Sequence, residues 1–136
     1  MVVLVGAPGQ GKTSIVNALI RKGPVNPLCL EGEFLGDRTD VVLRMAGLAG
    51  LRPEGANIDM LGRLQGKKFP SPEYGVPEVI VDDAHHLQDD VLQLFYELTV
   101  GAYGRRWSIL LVGEDQLVSR LQSLKPLPCL PSIVRL

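Results

Sequence analysis

One short motif near the amino terminus limits what this chain can fold into more than any other feature. Its residues, Gly6, Ala7, Pro8, Gly9, Gln10, Gly11, Lys12 and Thr13, match the pattern Gly-x-x-x-x-Gly-Lys-Ser/Thr. The motif follows the apolar run at 2–5, which predicts a buried strand, and it precedes a stretch at 12–21 with helical apolar spacing. A strand, a glycine-rich loop and a helix in this order predict a loop that surrounds a phosphate group.

The residue types in the motif explain how such a loop would bind an anion. Glycines allow successive backbone N–H groups to turn inward, and the amino terminus of the following helix adds the positive end of its dipole. Lys12 would reach the β- and γ-phosphates, and the Thr13 hydroxyl would ligate Mg²⁺. The alternative is a glycine-rich turn that matches by chance, which the strand and helix on either side disfavour. We predict a nucleotide site over Gly6 to Ser14.

A second acidic motif supplies the carboxylates that a magnesium site needs. In the stretch VIVDDAHHL, an apolar run ends in Asp82 and Asp83. We predict that Asp82 holds Mg²⁺ and that Asp83 orients or deprotonates the attacking water. The alternative is a solvated strand end that caps the next helix. Independently of this choice, Asp89 is predicted to be the N-cap residue of the helix at 89–100. Because aspartate is one methylene shorter than glutamate, Asp83 is a weak candidate for reaching the water.

Along the rest of the chain, short apolar runs alternate with helical patterns. Strands are predicted at 2–5, 27–30, 78–83, 107–113 and 132–136, and helices at 12–21, 38–48, 58–64, 89–100 and 114–124. Strands that are apolar almost throughout are typical of a parallel sheet covered on both faces. The predicted fold class is therefore α/β with a parallel sheet.

Composition excludes several classes of protein. The chain of 136 residues has a formal net charge of −1, which argues against strong, unassisted binding to nucleic acid. Its two cysteines, Cys29 and Cys129, lie far apart and outside any metal-binding spacing, so reduced thiols and the cytoplasm are predicted. No apolar stretch approaches the roughly 20 residues that cross a bilayer.

Three stretches together resemble a known family. The similarity is to the Walker A, Walker B and sensor-1 regions of the AAA-plus ATPases, most closely those of the ExeA (general secretion pathway A) and DamX type. The corresponding stretches here are GAPGQGKTS, VIVDDAHHL and LLVGEDQL, in that order. The resemblance implies a three-layer P-loop NTPase core with strand order 5-1-4-3-2, and ATP and Mg²⁺ as cofactors. It also implies a protein partner or a homo-oligomer, and a cytoplasmic domain that in many relatives belongs to a larger membrane-associated protein.

The chain departs from the family pattern at two positions. Asp83 stands where relatives usually have glutamate, which implies slow hydrolysis. Glu114 stands where relatives carry glutamine. The residues that the resemblance predicts to be catalytic are Lys12, Asp83 and Glu114. A carboxylate beside a γ-phosphate is repelled unless Mg²⁺ or a neighbouring cation intervenes. No arginine finger is assigned, because Arg120 and Arg135 match no motif and are interpreted as surface residues.

Three functions follow, of which the first is favoured. The resemblance implies an ATP-hydrolysing module of a bacterial secretion or cell-envelope and cell-division system, with residues 1–136 forming one core without the amino-terminal adenine-pocket segment and the carboxy-terminal lid. The second is a nucleotide-dependent DNA-binding regulator resembling transposition ATPases, with a DNA track lined by Lys67, Lys68, Arg105 and Arg106. The third is a scaffold that binds nucleotide without hydrolysing it.

Overall fold

The computed structural model describes residues 1–22, 26–52, 62–64, 77–102, 104–124 and 131–136. Its strands are β1 (Val2–Val5), β2 (Leu28–Glu31), β3 (Val79–Asp82), β4 (Ile109–Gly113) and β5 (Ser132–Arg135). Its longer helices are α1 (Lys12–Ile20), α2 (Arg38–Leu48), α3 (Asp89–Val100) and α4 (Gln116–Gln122), with short 3₁₀ turns at Gly32–Phe34 and Ala84–His86. Most of the helix predicted at 58–64, together with Lys67, Lys68 and Cys129, lies outside the described residues.

The five strands form one parallel sheet in the order β2-β3-β4-β1-β5. This is the predicted order 5-1-4-3-2 read from the other edge, so the predicted fold class is confirmed. The central strand β4 is buried along its whole length, which agrees with its uninterrupted apolar sequence. Because all strands run in the same direction, their carboxyl ends meet at one edge of the sheet.

Alternate residues of each central strand enter two separate hydrophobic clusters, one on each face of the sheet. In β1, Val3 and Val5 face the larger cluster and Leu4 faces the smaller one. Helices α2, α3 and α4 pack on the larger side, and α1 covers the smaller side through Val16. Helices therefore cover both faces, as the sequence predicts for a parallel sheet.

The structure corrects several predicted boundaries. Helix α4 begins at Gln116 rather than at residue 114, because the carbonyls of Glu114 and Asp115 close a turn with the amides of Leu117 and Val118 before the helix starts. The strand predicted at 78–83 ends at Asp82, since the chain turns left-handed at the next residue.

The prediction that Asp89 is the N-cap residue of α3 is wrong. Gln88 has the extended backbone of the N-cap position, and Asp89 is the first helical residue. Its carboxylate accepts a hydrogen bond from Arg120 and caps no backbone amide of the helix.

None of the helices in the described ranges combines the length and the apolar character needed to cross a bilayer.

Candidate functional site

The segment Gly6–Thr13, here called the phosphate loop, connects β1 to α1 at the carboxyl edge of the sheet. The amide of Gly6 donates to the carbonyl of Gly113 at 3.2 Å, which joins the start of the loop to the end of β4. Gly9 and Gly11 have φ angles of 82° and 85°, a left-handed conformation that side chains disfavour. The two glycines of the motif therefore stand at the two positions of the loop where the backbone is left-handed.

Several backbone donors of the loop and of the first turn of α1 are available to a ligand. Among the described residues, no protein acceptor contacts the backbone amides of Gly9, Gly11, Lys12, Thr13 and Ser14. The residues Gly9, Gly11, Thr13 and Ser14 are exposed to solvent. Unpaired amides at a helix amino terminus form an anion-binding site, because each donates a hydrogen bond and the helix dipole adds to the attraction.

Lys12, the first residue of α1, contacts the start of the phosphate loop. Its Nζ donates to the carbonyl oxygens of Gly6 and Ala7, and its side chain is only partly exposed. The side chain of Gln10 closes the loop from within, since its Oε1 accepts from the Ala7 amide at 2.8 Å. The ammonium group is therefore already held beside the position where the motif predicts a polyphosphate.

The predicted acidic pair lies in the segment Asp82–Leu87, here called the acidic turn. One Asp82 oxygen accepts from the amide of Asp83 at 2.9 Å, and the other oxygen has no hydrogen-bond donor among the described residues. Asp83 has φ 49° and ψ 40°, and it is the one non-glycine residue in the described ranges with a positive φ. A backbone conformation of this kind costs about 1–2 kcal/mol for most L-residues, and less for aspartate.

Two glycines from the neighbouring strands enclose the acidic turn. Gly32 directly follows β2, and a Cβ atom placed on it would lie 2.4 Å from the carbonyl oxygen of Asp83. Gly113 ends β4, and a Cβ atom there would lie 3.1 Å from Nδ1 of His85 and 3.2 Å from its backbone nitrogen. The turn is therefore packed between the two flanking strand ends, with no space for a side chain at Gly32 and only a tight fit at Gly113.

Glu114 follows β4 and lies beside the acidic turn. Its Oε1 is 3.9 Å from Nε2 of His85, whose side chain is only 8% exposed. The Nδ1 atom of the same ring is buried and has no hydrogen-bond partner in the part of the chain that the structure describes. The structure thus brings Glu114 next to an imidazole, which is a neighbouring group able to carry positive charge.

The two arginines that the sequence left as surface residues both make defined contacts. Arg120, in α4, donates to the backbone carbonyls of His85 and Leu87 and to the Asp89 carboxylate. Arg135, at the end of β5, forms an exposed ion pair with Asp115. Arg120 therefore has a specific role in the fold, whereas the exposed pair contributes little stability.

Of the four residues assigned to a DNA track in the second alternative, the structure describes Arg105 and Arg106, and Arg106 is exposed. Arg105 forms an ion pair with the buried Glu78, and its guanidinium stacks 4.3 Å from the centre of the Trp107 ring. Burial also lowers the pKa of the Arg105 guanidinium. Its charge is used within the chain, and Lys67 and Lys68 lie outside the described residues.

The donor set at the carboxyl edge fits a magnesium nucleotide. A threonine hydroxyl at the start of α1 and a carboxylate oxygen of Asp82 are the hard oxygen ligands that Mg²⁺ prefers. Strand β4 alone separates β3, which ends in Asp82, from β1, which leads into the phosphate loop, so the axes of these two strands lie about 10 Å apart. Such a span leaves room for waters and phosphate oxygens, which usually complete a Mg²⁺ shell.

Sequence reasoning missed three residues around the acidic turn, Gly32, Gly113 and Arg120. The two glycines could have been found, since each stands at the carboxyl end of a predicted strand. Arg120 could not, because its contacts join residues that are 31 to 35 positions apart.

The parallel sheet, the phosphate loop and the acidic turn together define an AAA-type P-loop ATPase domain. The family model described as an AAA domain matches residues 1–121, and the chain belongs to this family. A search of curated proteins finds no match to the sequence.

Among solved structures, the chain is similar to the crystal structure of Cdc6p from Pyrobaculum aerophilum, with a TM-score of 0.68 and 21% sequence identity. The match covers 98% of this chain and 38% of that chain. At this identity the likeness shows the fold, and this chain spans well under half the length of the relative. The more specific resemblance to the ExeA and DamX type has no counterpart in these matches.

Proposed function

We propose that this domain binds Mg-ATP at the phosphate loop and hydrolyses it slowly. The observation that carries the proposal is the group of backbone amides at the start of α1 that no described residue pairs, in the same loop whose first carbonyls the Lys12 ammonium contacts. Each amide and the ammonium would donate a charge-assisted hydrogen bond to a phosphate oxygen. Membership of the AAA domain family supports ATP as the nucleotide and Mg²⁺ as its metal.

Each predicted site residue has one role in this proposal. The polyphosphate is surrounded by the residues that form or extend the phosphate loop, which are Gly6, Ala7, Pro8, Gly9, Gln10, Gly11 and Ser14. Lys12 neutralises phosphate charge, and Thr13 and Asp82 would hold Mg²⁺, which lowers the charge on the transferring group when bound. Asp83 accepts a proton from the attacking water, and Glu114, which lies beside His85, would face the γ-phosphate.

A bacterial secretion or cell-envelope and cell-division system is the proposed setting, in which the nucleotide state changes contacts with a protein partner or a second copy. This part rests on the resemblance of the three motifs to the ExeA and DamX type. The DNA-regulator alternative loses the contribution of Arg105, whose guanidinium is used within the chain. The scaffold alternative depends on whether Asp83 is long enough to reach the water.

Phosphate release and nucleotide affinity, measured separately on the purified chain, test the proposal. We expect slow release with Mg-ATP that stops when the metal is chelated. Lys12→Ala should weaken nucleotide binding about 100-fold, because about 3 kcal/mol of charge-assisted hydrogen bonding is lost. Asp83→Asn should keep the affinity and lower kcat at least about tenfold.

Two exposed positions provide matched controls for these variants. Lys22→Ala removes a lysine just after α1, and Asp90→Asn removes an aspartate in the first turn of α3. Both should leave affinity and kcat within about twofold of the parent protein, as is usual for surface substitutions. Binding that depends on Lys12 without any phosphate release would favour the scaffold, and binding that is indifferent to Lys12 would reject the nucleotide site.

A further inference from the structure

The guanidinium group of Arg120 is bonded to the backbone of the acidic turn. Its Nη1 donates to the carbonyl of His85 at 2.8 Å, and its Nη2 donates to the carbonyl of Leu87. The same Nη2 lies 2.8 Å from the Asp89 carboxylate, at the start of α3. One side chain of α4 thus holds both the end of the acidic turn and the helix that follows it.

We infer that Arg120 is a positioning residue for hydrolysis, because it keeps the acidic turn in the shape that presents Asp83. This inference rests on the proposed function for its catalytic consequence. The contacts themselves do not depend on that function. Arg120 would not touch the nucleotide and would act entirely through the backbone that carries Asp83.

The acidic turn needs such support because its own hydrogen bonds are few. Two backbone bonds close it, from the His86 amide to the Asp83 carbonyl and from the Leu87 amide to the Ala84 carbonyl, each 3.1 Å long. A single 3₁₀ turn is a weak element, and it begins here from a left-handed residue. Contacts from outside the turn must therefore hold a backbone that would otherwise relax.

Arginine suits this role better than lysine does. Its planar guanidinium presents several N–H donors in fixed directions and can serve two carbonyls and a carboxylate together. A lysine ammonium would place one point charge among these acceptors and could not match their separation. The side chain of Arg120 is only 29% exposed, so water competes little for its donors.

Arg120 also links the segment after β4, which contains Glu114, to the acidic turn after β3. Helix α4 begins two residues after Glu114, and its Leu117 packs close to Gly113. Arg120 extends from this helix to the turn after β3. A displacement of the segment after β4 would therefore be transmitted to Asp83 through the carbonyls that Arg120 holds.

The contacts argue against the other role that an arginine has in P-loop ATPases, that of a finger extended into a neighbouring active site. A finger needs a free guanidinium. In this structure, both Nη atoms of Arg120 are engaged by acceptors of its own chain.

The test measures kcat, KM and nucleotide affinity for Arg120→Ala and Arg120→Lys. Both variants should lower kcat at least about tenfold with KM and affinity changed less than about twofold, since only the position of Asp83 is disturbed. Guanidinium ion at about 20 mM, far below denaturing concentrations, should restore part of the activity of Arg120→Ala. The control is Arg44→Ala, which removes the exposed arginine that pairs with Asp40 in α2 and should keep full activity.

Hydrogen exchange separates the inference from the proposed function. The amides of His86 and Leu87 should exchange at least about tenfold faster in Arg120→Ala, with no change in Arg44→Ala. If the parent protein hydrolyses no nucleotide, the proposed function fails, and faster exchange at these two amides still supports the role of Arg120 in holding the turn. Unchanged exchange overturns the inference, and so does a kcat that equals that of the parent protein.

Discussion

The phosphate loop and the acidic turn both follow strands of the sheet, and both contain or contact glycines, yet they use glycine for different reasons. In the phosphate loop, Gly9 and Gly11 have positive φ angles, and a Cβ atom on either would meet nothing within 4 Å. Beside the acidic turn, Gly32 has no such angle, and a Cβ atom on it would collide with the backbone of Asp83. The first region requires a conformation, and the second requires space.

This difference matches what each region has to do. Hydrogen bonds of the phosphate loop join mainly its own residues, through the side chains of Gln10 and Lys12, so the loop can exchange these bonds for bonds to a ligand. The acidic turn is held from three sides, by Gly32, Gly113 and Arg120. Under the proposed function, the phosphate loop stays open to its ligand, whereas Asp83, which would orient the attacking water, is fixed by the tertiary structure.

Gly32→Ala gives the largest expected effect on this comparison. The added Cβ atom must displace the Asp83 carbonyl, because backbone atoms 2.4 Å away cannot rotate aside as a side chain can. A shift of about 1 Å in a catalytic group lowers the rate up to about 100-fold, so we expect kcat to fall about 10- to 100-fold with nucleotide affinity preserved. Single-turnover phosphate release and equilibrium nucleotide binding measure the two quantities separately.

The control for this variant is Gly47→Ala in α2, where a Cβ atom would meet nothing within 4 Å. Alanine is a better helix former, and this variant should gain about 0.5–1 kcal/mol of stability with unchanged kcat. If Gly32→Ala were as active as Gly47→Ala, the acidic turn would not be fixed by the space beside it, and the comparison would fail.

Gly11→Ala should show the opposite pattern with a smaller magnitude. Alanine at φ 85° costs about 1–2 kcal/mol, so we expect the exposed free loop of the variant to relax from this conformation. Nucleotide binding must then restore it, and the affinity should fall about 5- to 30-fold. Because the acidic turn is untouched, kcat at saturating nucleotide should change less than about twofold. An equal loss of kcat and affinity would show that the two regions are not independent.

Much of this architecture could be predicted from the sequence because the signals are local. The bounds of β1 and α2 follow from apolar runs and helical spacing, and the structure has them where they were predicted. The phosphate loop carries its own signature, since glycine at fixed spacing before lysine has few other uses. Strand order follows from the resemblance to a family with that order.

The contacts of Arg120 with the acidic turn and the backbone conformation of Asp83 could not be predicted, because they depend on contacts between distant parts of the chain. Nothing local to Arg120 indicates that its guanidinium reaches the carbonyls of His85 and Leu87. The left-handed backbone of Asp83 is equally hidden, since the apolar run before it indicates only a strand. The ion pair of Arg105 with the distant Glu78 was equally hidden, and with the stacking on Trp107 it engages a guanidinium that the DNA-regulator alternative had assigned to DNA.

The smallest expected effect concerns the backbone of Asp83 itself. Its side chain accepts no hydrogen bond from the described residues, and its φ of 49° is unfavourable for a residue with a Cβ atom. Asp83→Gly and Asp83→Ala both remove the carboxylate, but only glycine relieves this conformation. We expect the glycine variant to exceed the alanine variant by about 1 kcal/mol in the free energy of unfolding, measured with urea. The greater freedom of glycine in the unfolded chain makes this an upper value.

Both variants should lose hydrolysis alike, so a difference confined to stability would show that the fold accepts strain at Asp83 in order to place its carboxylate. An alanine variant at least as stable as the glycine variant would mean that the turn relaxes once the carboxylate is gone, and that the acidic turn is as adaptable as the phosphate loop.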